Sequence, residues 1–97
     1  MSIVADLKGE VEAIGKDLIA SGVLTKDEQA KVLVWTAGLG LACAQQDVAA
    51  INNYKSALNA MLGVAELRAA HAAEQAAIRL AQKGLNILVS LAVSAIL

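Results

Sequence analysis

The residues with capacity for chemistry are few and scattered. His71 is the only histidine and Cys43 the only cysteine. A lone imidazole cannot build a tetrahedral metal site, and no cysteine or carboxylate cluster stands at ligand spacing from it. Glu74, three residues on, is placed to pair with it on a helix surface. Cys43 follows Leu41-Ala42 and precedes Ala44, a setting for a buried thiol acting as a small hydrophobe, and a single cysteine allows no intrachain disulfide. Ser2, Ser21, Ser56, Ser90 and Ser94 lie outside any G-x-S-x-G elbow, and no G-x-x-x-x-G-K-[ST] loop occurs. The expectation is a protein without a catalytic group, a metal or a cofactor.

Two patterns carry more information than any single residue. Arg68, His71, Gln75, Arg79, Gln82, Asn86, Ser90 and Ser94 recur at spacings of three or four, so on one helix they form a polar stripe. Such a stripe is either an ordinary solvated face or, with its apolar surroundings, the wet side of a pore wall. Ala65, Ala69, Ala73, Ala77 and Ala81 recur every fourth residue and on the same helix make a smooth ridge open to close backbone approach. With Leu88 and Leu91 this ridge is the expected assembly interface. From Gly84 to Leu97 the chain carries no charge.

The elements that hold these patterns are helices. Twenty-one alanines, two aromatic residues and no proline favour helix over strand. The fold class is therefore all-α, with 1–97 as a single domain. Three helices are expected, about 3–21, 26–45 and 48–96, or four if the last breaks near Gly63. The architecture is a helical bundle or an elongated helical assembly. An unbroken 48–96 helix would be a rod of about 70 Å.

Val4, Leu7, Val11, Ile14 and Leu18 give the first helix one apolar face, and Ser21-Gly22 supplies its stop. Thr25 and Glu28 have the spacing of a capping box opening the second helix, and Asp47 can cap the third. Between Lys31 and Asp47 no charge occurs. Val32, Leu33, Val34, Trp35, Leu39 and Leu41 surround the second helix on all sides, as in a buried helix. Gly38 and Ala42 form a small-xxx-small pair suited to a close helix crossing. Trp35 and Tyr54 read as core filler and half-exposed ring, or as interfacial anchors at a bilayer.

Hydrophobic residues make up 58% of the chain, and the mean hydropathy is +0.59, more apolar surface than one small core hides. The net charge is −1, which leaves no basic face for nucleic acid. The start Met-Ser-Ile-Val-Ala-Asp-Leu-Lys lacks the pattern of a secretion signal, so synthesis in the cytoplasm without cleavage is expected.

In its alanine-rich composition and helix pattern the chain resembles small helical structural proteins of bacteriophage particles, including internal or ejection proteins that assemble into rings or tubes. The resemblance implies a non-enzymatic building block whose partners are copies of itself and other virion proteins. Two other readings compete with it. A membrane-active pore or holin-like protein would use the runs 32–46 and 84–97, both short of the ~20 residues that span a bilayer. A soluble adaptor would dock its last helix into another protein.

Overall fold

The computed structural model describes the backbone from Ile3 to Leu97 and side chains from Gly9 onward. It holds four helices: α1 (Ile3–Ala20), α2 (Lys26–Ala44), α3 (Val48–Arg68) and α4 (Ala72–Ile96). Loops 21–25, 45–47 and 69–71 are short enough to turn each helix back beside its predecessor. The helices pack as a closed cycle in which α1 touches α2, α2 touches α3, α3 touches α4 and α4 returns to α1. α2 and α4 therefore occupy opposite corners. The molecule measures 40 × 21 × 21 Å.

Local chemistry accounts for the first two turns. Gly22 takes φ +76° where α1 ends, a conformation open to a residue without Cβ. The Thr25 hydroxyl accepts from the Glu28 N–H at 3.2 Å, and the Glu28 carboxylate accepts from the Thr25 N–H at 2.9 Å, completing the capping box. α2 ends with Gln46 at φ +58°. There the Gln46 N–H donates to the Cys43 carbonyl and the Asp47 N–H to the Ala42 carbonyl, the bond pair of a Schellman closure. Asp47 Oδ1 then accepts from the Ala50 N–H at 3.1 Å and opens α3.

The third turn corrects the expected helix count. Residues 48–96 are two helices, and the break falls at Ala69–His71 rather than at Gly63, which sits inside α3. Ala69 (ψ 128°) and His71 (ψ 143°) are extended although alanine is the best helix former. Tertiary packing overrides propensity here. A continuous rod would leave Ile78, Leu85, Leu88, Val89 and Ala92 without partners, whereas the turn buries all five. Gln75 Nε2 stabilises it by donating to the Ala69 carbonyl at 3.1 Å.

The core has two centres. Val11, Leu39, Ala42, Cys43, Ile51, Leu58, Leu85, Leu88, Val89 and Ala92 form one. Leu18, Leu24, Val32, Leu62, Ala65 and Ile78 form the other, and Ile14 and Met61 pack against both. Where α2 crosses α3, the Tyr54 ring lies on Gly38 so closely that a Cβ there would stand 2.5 Å from Cζ. Thr36, the buried polar residue of α2, is satisfied by its bond to the Val32 carbonyl at 2.6 Å. Burial pushes the Cys43 thiol up from its ordinary range, so it remains a protonated part of the core.

Candidate functional site

The polar stripe divides into three parts once α3 and α4 separate. Arg68, in the last turn of α3, leaves the stripe to bind the α1–α2 turn: Nη1 donates to Glu28 Oε2 at 3.1 Å, and Nη2 reaches the Val23 carbonyl at 3.4 Å. This guanidinium holds the Glu28 carboxyl below its usual value, burial opposes the shift, and the Thr25 N–H adds to it. His71 is the exposed N-cap of α4 and makes no side-chain capping bond.

The middle of the stripe joins α4 to α3. Arg79 pairs with Glu66, Asn86 Oδ1 accepts from Asn59 Nδ2 at 3.0 Å, and Gln82 Nε2 donates to the Asn59 carbonyl at 3.4 Å. Ser90 and Ser94, like His71, have no such role. The two serines line an open groove of about 640 Å³ on the outside of α4 together with Arg79, Lys83, Asn86 and Leu91. No group of three or more His, Cys, Asp or Glu residues able to hold a metal occurs among the described residues.

The alanine ridge is likewise divided. Ala65 is inside the core, Ala69 and Ala81 are half-buried, and Ala73 and Ala77 are exposed on α4. Leu88, expected at an interface between molecules, packs inside the chain's own core, while Leu91 stands outside. The register explains the difference. Three residues along an α-helix turn the side chain by about 300°, which carries Leu91 from the face toward α1 to the open face.

The largest departure from the sequence reading concerns α2. It is not buried all round: Leu33, Val34 and Leu41 are 55%, 65% and 57% exposed. With Ala30, Ala37 and Ala44, also exposed, they make an outer face that carries no charge beyond Lys31. A second apolar face lies on α4, where Leu80, Ile87 and Leu91 are 72%, 51% and 53% exposed. Periodicity could have separated the two sides of α2, because Val32, Thr36, Leu39 and Cys43 keep helical spacing among themselves and face inward. Uniform hydrophobicity concealed that division.

α4 is also the one described helix long and apolar enough to cross a membrane, with 28% of its most apolar 18-residue window buried. Among the described residues, the exposed large apolar side chains thus gather on α2 and on α4, the latter bordered by a polar strip, with Val64 and Leu67 exposed on α3. Comparison of the chain with family models, curated proteins and solved structures gives no match.

Proposed function

We propose that this chain folds as a four-helix bundle and serves as a non-enzymatic structural unit that assembles with copies of itself. The observation that carries the reading is the pair of exposed apolar faces on α2 and α4 of a chain whose core is already closed by its own residues. Six large apolar side chains in two contiguous patches exceed the scattered exposure usual for a monomer. Patches at opposite corners let each copy touch two others, the requirement for a ring or a filament. The compositional resemblance to small phage structural proteins supports a virion ring or tube as the setting.

Light scattering on the purified protein across a hundredfold dilution tests this directly. The expected mass is a multiple of 10.0 kDa that falls on dilution. A constant 10.0 kDa at every concentration overturns the reading.

A second reading follows from α4 itself. Its 25 residues extend about 37 Å, enough for a ~30 Å hydrocarbon core, provided its inner face leaves α1 and α3. Flotation with lipid vesicles separates the two, since a self-assembling unit stays at the bottom of the gradient and a membrane-inserting one rises.

A further inference from the structure

On α2 the exposed Ala30, Val34, Ala37, Leu41 and Ala44 keep heptad spacing over two repeats; the apolar face of α4 carries the longer run. Ala73, Ala77, Leu80, Gly84, Ile87, Leu91 and Ser94 alternate in spacings of four and three, a heptad seam three repeats long. Such a repeat keeps one face toward a partner helix as two helices wind about each other. Of these seven, Ala73, Ala77, Leu80, Ile87, Leu91 and Ser94 are exposed, while Gly84 is half-buried beside Ile14 of α1, whose Cδ1 would stand 3.4 Å from a Cβ there.

The two flanks of the seam carry opposite charge. Toward α1, the grooves beside α4 are lined by Glu10, Ile14 and Asp17, so the charged α1 groups there are acidic among the described side chains, while Lys16 of the same helix faces the α1–α2 groove instead. On the far side stand Lys83 and Arg79, which border the polar groove; Arg79 is ion-paired with Glu66, so the net positive charge of that flank is the charge of Lys83. Lys83 also lines the groove over Gly84 with Glu10, so these two lie at the same height along the bundle.

Two copies can lay this seam on itself in two ways. A two-fold axis perpendicular to the helices brings like flank to like flank, acid against acid and base against base. An axis parallel to them crosses the flanks, so that acid meets base on both sides. Charge thus selects orientation. The face is also large enough, because the side of the molecule measures 40 × 21 Å and a standard interface takes about 800 Å² from each partner.

We propose that α4 pairs in parallel with the α4 of a second copy along this seam, in a two-fold dimer in which Lys83 faces the partner's Glu10. The proposal rests on the self-assembly reading and specifies one of its contacts. In this dimer Leu80, Ile87 and Leu91 each meet their own counterpart.

Cysteine cross-linking reads the orientation. In a Cys43→Ala background checked for helix content, Leu80→Cys and Leu91→Cys are oxidised separately, with Glu12→Cys on the α1–α2 side as control. Parallel pairing yields disulfide dimers at both seam positions and none at the control, since residues facing their own copies come within the ~4.4–6.8 Å Cα separation a disulfide needs. Cross-linking at one seam position alone, or at neither while light scattering shows an oligomer, overturns parallel pairing and leaves self-assembly standing. A monomer at every concentration overturns both, and recovery of wild type with floating vesicles without seam cross-links assigns the face to lipid and overturns the dimer.

A charge exchange gives a second measurement. Lys83→Glu and Glu10→Lys each weaken dimerisation by about tenfold at low salt, and the double variant recovers it. Failure of the double variant to recover, with its fold intact, also overturns the parallel arrangement.

Discussion

At the scale of single residues, two glycines of one type have opposite environments. A Cβ on Gly38 would stand 2.5 Å from the Tyr54 ring, and a Cβ on Gly63 would meet nothing within 4 Å. Alanine gains about 1 kcal/mol over glycine inside a helix, whereas forcing atoms into a filled contact costs about 1–3 kcal/mol. Gly63→Ala is therefore expected to raise stability by about 1 kcal/mol and Gly38→Ala to lower it by about 1 kcal/mol; equal shifts of the same sign in urea unfolding would refute the account of the α2–α3 crossing. Glu28 supports a pH prediction. Its carboxyl is held below the ordinary 4.5, first by the hydrogen bond from Arg68. A group whose folded value is depressed stabilises fully above its unfolded value and loses that contribution as pH falls through the folded one. Wild type should thus lose more stability than Glu28→Gln as pH is lowered from 5 to 3. Parallel losses in the two proteins would show that the pair with Arg68 contributes nothing, the outcome met in many exposed ion pairs.

At the scale of elements, the turns that carry their own chemistry were legible and the turn imposed by packing was not. Thr25 with Glu28, Ser21-Gly22 and Asp47 mark their boundaries by residue type. The α3–α4 turn lies in Ala69-Ala70-His71-Ala72-Ala73, where each alanine favours helix. Its faint signals are Arg68 at the end of α3 and Glu74 three residues after the N-cap His71. They suit the two helix dipoles, but histidine makes no cap bond. Ala70→Pro tests the break. In a continuous helix it would cost about 3 kcal/mol or more, whereas in the turn its predecessor Ala69 already has the extended backbone that proline demands, so unfolding should change by well under 1 kcal/mol. At the α2–α3 turn the left-handed conformation falls on Gln46, a residue whose Cβ crowds there at about 1–2 kcal/mol. Gln46→Gly should raise stability by about 1 kcal/mol; a loss would mean that the glutamine side chain supports the turn more than its backbone strains it.

For the whole molecule, the excess of apolar residues was evident in composition, but its location depended on how four helices share one core. In the chain's own cycle α2 and α4 each touch α1 and α3 and leave an outer side. The sequence alone could not assign those sides while 48–96 read as one rod, because the partners of α4 are set by the turn at Ala69–His71. Two separate faces imply stepwise assembly, and blocking them one at a time should expose the steps. Val34→Glu with Leu41→Glu places charge on the α2 face at residues more than half exposed. Glutamate is a good helix former, and substitutions at such sites usually change stability by no more than about 0.5 kcal/mol, so the fold should survive. If the α4 seam joins copies in pairs, this variant stops at twice the 10.0 kDa of the monomer, whereas adding Leu80→Glu and Leu91→Glu reduces the mass to the monomer's own. Circular dichroism verifies helix content in both variants, and light scattering reads the mass. Full-size assembly by the α2 variant would assign that face no part in assembly, and a monomer from it would place every contact between copies on α2.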